Sequence, residues 1–152
     1  MTITQNKEST VQLLDQLFKH VKMSSQTLLA MLPRVESEQA KFKSELTLML
    51  NDYESIAHRI NSTRGEIGEQ AEDASLMTKI TARVTTAMAT LMDSSVSHMA
   101  QLLIEECTRS MTDTVKAIRE FENTTASEAS LALAREVVTL EEKNVERLKA
   151  YL

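Results

Sequence analysis

The sequence predicts an all-α fold, an antiparallel bundle of five helical segments, and three observations carry that reading. Only two glycines and one proline interrupt 152 residues, so there is almost no turn chemistry for short strands. Apolar residues recur at spacings of three and four, the helical period. Aromatics are 3% of the chain and tryptophan is absent, so Leu, Ile, Val, Ala and nine adaptable Met must fill the core. A chain of this length suits one domain, residues 9–152, which buries roughly 68–70% of its unfolded surface. The polar first residues, 1–8, are expected to be disordered.

The first helix is predicted over about 9–32, with Leu14, Phe18, Val21, Leu28 and Leu32 inward and Pro33 ending it. The second, about 35–60, follows at once on Phe42, Leu46, Met49, Tyr53, Ile56 and Ile60, and so short a join implies an antiparallel pair. Both glycines, Gly65 and Gly68, fall in the unpatterned run 61–73, read as a crossover linker. A third helix, about 75–92, carries Met77, Ile80, Val84, Met88 and Leu91 inward. Asp93, Ser94 and Ser95 offer capping side chains for a restart. The fourth, about 96–122, sets Ala100, Ile104, Cys107, Met111, Thr114, Ile118 and Phe121 on its apolar stripe. Asn123-Thr124-Thr125 interrupts it, and Thr125 with Glu128 has capping-box spacing. The last helix, about 126–151, buries Leu133, Val137, Leu140, Leu148 and Tyr151.

A net charge of −5 and scattered lysines argue against a nucleic-acid backbone as partner. No run approaches the ~18–20 apolar residues of a membrane span, and the N-terminus lacks a signal peptide's apolar core. A cytoplasmic location is therefore the default expectation, and the lone Cys107, which cannot form an internal disulfide, agrees with a reducing compartment.

Few residues suggest chemistry. His20, His58 and His98 each lie far from their helix's apolar stripe and are expected to face water. Glu54 and His58, spaced i,i+4, read as a solvated pair. Glu38 and Glu45 lie near the inner edge of the second helix and Glu141 flanks the stripe of the last, but the inward positions Ser25, Met111 and Asn144 are weak ligands for iron or manganese. Cys107, beside Glu105 and Glu106 and within an apolar stripe, is expected to be unreactive. The methionines 77, 88, 92, 99 and 111 read as core. No phosphate loop, catalytic triad order or cysteine pair is present. The expectation is therefore an apolar interior with no catalytic, cofactor-binding or metal-binding residue and no cofactor. Small residues on the third helix (Thr81-Ala82, Thr85-Thr86-Ala87, Ala89-Thr90) suit close approach by another helix, from a partner or from the bundle itself.

Several local strings are similar to a bacterial helical-bundle family of unknown function in the ferritin-like superfamily. The most specific is Glu106-Cys107-Thr108-Arg109-Ser110 followed by Val115-Lys116-Ala117-Ile118-Arg119. Phe42 to Leu46 and the closing Glu146-Arg147-Leu148-Lys149-Ala150 support it. The resemblance, spread over about 14–152, implies a ferritin-like antiparallel four-helix bundle with an additional helix in the crossover. It does not carry a metal site across: such families tend to place Glu at Ser25 or Gln26, Thr108 and Met111, and His at Asn144. The function expected is that of a non-enzymatic, self-associating interaction or structural module, a homo-oligomer with no nucleic-acid or membrane partner. The alternatives are a carboxylate-bridged di-metal storage or oxidation protein and a binder of apolar small molecules in a Met-rich interior.

Overall fold

The computed structural model describes residues 3–69, 74–89, 91 and 94–152, with side chains described for all of these except 3–5, 74–77 and 87. Every regular element among them is helical: α1 (Ile3–Met31), α2 (Ala40–Glu66), α3 (Ala74–Ala89), α4 (Val96–Phe121) and α5 (Glu128–Lys149). None is long and apolar enough to cross a membrane.

Several boundaries differ from the sequence reading, each for a local reason. α1 begins at Ile3, so residues 3–8, expected to be disordered, are helical. Lys7, in that first stretch, reaches Glu69 at 3.1 Å. α2 starts five residues late, at Ala40, because Pro33 opens a 3₁₀ turn (Leu32–Arg34) and a second such turn covers Ser37–Gln39. α2 then continues to Glu66, through half of the expected linker, and its Arg64 is buried against Asp15 of α1. The helix stops at Gly68, whose φ of +80° lies in the left-handed region open to glycine. Glu69 N–H bonds the Arg64 carbonyl at 2.9 Å and Gly68 N–H the Gly65 carbonyl at 3.1 Å, the paired bonds of a Schellman cap. The rest of the linker, 70–73, lies outside the described residues, as do Met92, Asp93 and the side chain of Met77. Of the expected caps, Ser95 does accept from His98 N–H, at 3.2 Å. The capping box at Thr125 does not form: Ser127 caps α5 instead, accepting from Ser130 N–H at 3.2 Å.

Ion pairs fix the helix directions. Asp15–Arg64 and Lys22–Glu54 (2.9 Å) set α1 antiparallel to α2, and Glu45–Arg147 (3.3 Å) with Arg59–Glu136 (2.8 Å) set α2 antiparallel to α5. The short link from Glu122 to Ser127 folds α5 back along α4, the most extensive packing in the molecule. Ser127 N–H bonds Thr10 Oγ1 at 2.9 Å, which places the start of α5 beside the start of α1. α1 packs on α2, α4 and α5 as well as on α3, and α2 packs on α5.

The apolar core is continuous through these contacts. All six inward residues expected on α2 are buried. On α4 the buried seam is Leu103, Cys107, Ser110, Thr114, Ala117 and Phe121, while Ile104, Met111 and Ile118, expected inside, are half-buried. The expectation of an interior apolar throughout is corrected: Ser25, Thr114, Ser130, Glu141 and Asn144 are each 0% exposed.

Candidate functional site

The polar part of the interior is assembled by three helical seams. α2 contributes Tyr53 from the line Leu46, Met49, Tyr53, Ile56 and Ile60. α4 contributes Cys107 and Ser110. α5 contributes Glu141 and Asn144 from Ala134, Val137, Glu141, Asn144 and Leu148, positions alternating by three and four along one helix face. Glu141 is thus not at the edge of its stripe but on its centre line.

The groups interlock. Tyr53 Oη donates to Glu141 Oε2 at 2.6 Å and accepts from Asn144 Nδ2 at 3.1 Å. Cys107 Sγ lies 3.6 Å from the same phenol oxygen. Arg147 Nη1 reaches Asn144 Oδ1 and Asp52 Oδ2, each at 3.4 Å, and its Nε faces Glu45 Oε1 at 3.3 Å. A hydrogen-bonded relay therefore runs from the buried carboxyl, through the phenol and the amide, to a guanidinium at the rim between α2 and α5.

Burial governs the protonation of this cluster. It pushes the Glu141 carboxyl above the ordinary range; Tyr53, Ser110 and Cys107 pull the other way as hydrogen-bonding neighbours, without cancelling it, and Glu106 adds to the rise. Ser110 Oγ neighbours the Glu141 carboxyl, and neither it nor Glu141 Oε1 has a hydrogen-bond partner of ordinary geometry among the described residues. Burial, reinforced by Glu141, holds the Tyr53 phenol neutral well beyond its usual range. The same two causes push the Cys107 thiol far up, and a thiol kept protonated is a poor nucleophile.

The other candidate residues are dispersed. Glu38 is exposed, and Glu45 is half-buried and engaged with Arg147. Glu54 does not pair with His58: Lys22 Nζ holds it at 2.9 Å and the buried Ser25 hydroxyl donates to it. Burial raises the Glu54 carboxyl, but these two partners outweigh it and the net shift is downward. His58 is exposed, whereas His20 and His98 are half-buried, which corrects the expectation that all three face water. Burial lowers the pKa of His20, with Asp113 opposing and Lys19 assisting. Thr108 is exposed, and Gln26 and Met111 are half-buried.

A di-metal centre in a helical bundle draws a Glu from each of two helices and a Glu-x-x-His from each of two others. The described residues do not fit one. Glu141 is joined by a phenol, a thiol, a hydroxyl and an amide. Among the described residues, no three His, Cys, Asp or Glu are grouped so as to hold an ion. No family model matches the chain, and neither does any curated protein or solved structure.

Proposed function

We propose that the chain is a ferritin-like four-helix bundle, formed by α1, α2, α4 and α5 with α3 in the crossover, that works without catalysis as a self-associating interaction or structural module. Two features support the architecture: α1 and α5 run one way and α2 and α4 the other, and α3 packs mainly on α1. Glu141 and Asn144 have the i,i+3 spacing of a bundle's Glu-x-x-His, with an amide in place of the imidazole.

The observation that carries the non-catalytic reading is the use made of the buried carboxyl. Glu141 accepts from Tyr53, Tyr53 accepts from Asn144, and the adjacent thiol is held protonated. Tyr53 pairs with one oxygen of the Glu141 carboxyl and with the Asn144 amide, and the cluster ties α2, α4 and α5 in one register, a use of buried polar groups attested in other helical assemblies. Self-association draws its support from the surface. Leu29 and Leu48 are 45% and 53% exposed, and the register set by Asp15–Arg64 and Lys22–Glu54 puts them at one level of the α1–α2 hairpin. Thr81, Ala82, Thr85, Thr86 and Ala89 leave an exposed small-residue surface on α3.

Light scattering on the eluting size-exclusion peak tests association. The wild type is expected to exceed one chain mass, and Leu29→Glu with Leu48→Glu to reduce it to one; a wild type monomeric at high concentration defeats the reading. Elemental analysis after growth with added iron and manganese tests the di-metal rival, which stoichiometric metal lost in Glu141→Ala would establish.

A further inference from the structure

Between α2 and α5, on the outer face of the bundle, runs a groove of about 560 Å³. Ile56 and Leu140, each 8% exposed, form its apolar floor. Tyr53 bonds Glu141 and Arg59 bonds Glu136, so the two antiparallel helices pass each other in a register that sets Asp52 level with Lys143 and Ser55 level with Leu140. Asp52 and Arg59 are two turns apart on α2, and Glu136 and Lys143 two turns apart on α5, about 10 Å in each case.

One end of the groove therefore carries a carboxylate on α2 and an ammonium on α5, and the other a guanidinium on α2 and a carboxylate on α5. Arg135 is the one lining charge outside this alternation. The four alternating groups remain accessible. The side chains of Asp52, Arg59 and Glu136 are 43%, 53% and 47% exposed despite their pairing within the chain, and Lys143 is exposed with no ion pair among the described residues.

Such an arrangement is complementary to itself. A two-fold axis lying in this face and along the helices sets Asp52 of one copy over Lys143 of the other and Arg59 over Glu136; an axis across the helices sets Asp52 over Arg59 and Glu136 over Lys143. Either way each of the four charges meets its opposite around an apolar centre, as in an isologous interface with a polar rim. Leu48, 53% exposed, stands one turn before Asp52 on the α2 line that continues through Ser55 and Arg59, and it extends the apolar area.

We propose that the α2–α5 face docks a second copy of this chain, two-fold related, with the four alternating charges paired across the groove. The inference rests on the self-association proposed for the bundle and gives it a surface.

Sedimentation equilibrium of the full chain at low ionic strength tests it. Like charges forced together at an interface cost more than exposed opposite pairs contribute, so charge reversal is the sharper probe. A wild-type dimer is expected, its dissociation constant raised tenfold or more by Lys143→Glu, which sets a carboxylate against Asp52 or Glu136 of the second copy, and by Thr139→Arg, which fills the middle of the groove. Adding Glu136→Lys to Lys143→Glu should restore the dimer if the axis lies across the helices, and adding Asp52→Lys if it lies along them; either restoration supports the interface, and restoration by neither overturns it. All four positions are at the surface, so each variant is expected to keep the wild-type helical circular dichroism. A wild type that associates but is unaffected by Lys143→Glu and Thr139→Arg overturns this interface and leaves self-association to another face. A wild type monomeric at every concentration overturns both, and the groove then belongs to a different partner.

Discussion

Removing one oxygen from Tyr53 probes the interior cluster most directly, because two groups lose their partner at once. Tyr53→Phe strands Glu141 Oε2 and Asn144 Nδ2 away from water, and a buried polar atom left unpaired costs about 1–3 kcal/mol. The expected result is a lower urea midpoint with an unchanged m-value; an unaltered midpoint would show that the cluster contributes nothing to stability. Glu141→Gln reports on protonation instead. Because burial raises the Glu141 pKa, the folded protein holds that proton more tightly than the unfolded chain. Its contribution is complete below the unfolded value, about 4.3, and is lost as pH rises through the folded one. Wild-type stability relative to Glu141→Gln should therefore fall with rising pH above about 4.3, by at most about 1.4 kcal/mol per pH unit for one proton. A difference flat with pH would contradict a raised pKa. Cys107, 2% exposed and held protonated, should react with an aromatic disulfide reagent far more slowly in the native protein than in urea; equal rates would refute its burial.

At the level of the helices, Ser127 and Arg147 act at junctions that contacts along a single helix do not reveal. Ser127→Ala removes the cap of α5 and should cost about 1 kcal/mol, read from thermal or urea unfolding. Arg147 is 23% exposed and faces Glu45, Asp52 and Asn144, so Arg147→Met should cost about 1 kcal/mol or less, and less again at high salt. A cost insensitive to salt would assign its role to packing. The helices themselves were legible in the sequence because burial of one face imposes a 3.6-residue period, and every α2 position chosen on that ground is buried. Helix ends were less legible. Gly65 reads as a break, yet α2 runs past it because Arg64 finds Asp15 on another helix. Glu141 reads as a stripe-edge residue because its chemistry is polar, although the three-four alternation of residues 134, 137, 141, 144 and 148 marks it as inward. On α4, Ala100, Cys107, Thr114 and Phe121 are buried as expected, but Ile104, Met111 and Ile118 give way to their neighbours Leu103, Ser110 and Ala117, because the more apolar residue of each pair is not the one nearer the neighbouring helices.

For the whole molecule, composition was enough to give the all-helical class, but not which helices become neighbours. That arrangement rests on pairs far apart in the chain, such as Glu45 with Arg147 and Thr10 with Ser127, which no local pattern encodes. Tryptophan is absent from the chain. Only Tyr53 and Tyr151 absorb in the near ultraviolet as phenols, and they occupy opposite situations: the first 1% exposed within the cluster, the second half-buried at the C-terminal end. In alkali, Tyr151 should form its phenolate while the fold persists, and Tyr53 only when the helices part. A spectrophotometric base titration should therefore show two steps, the second coinciding with loss of helical dichroism. The chain thus carries a built-in optical gauge of its own integrity, legible without a label.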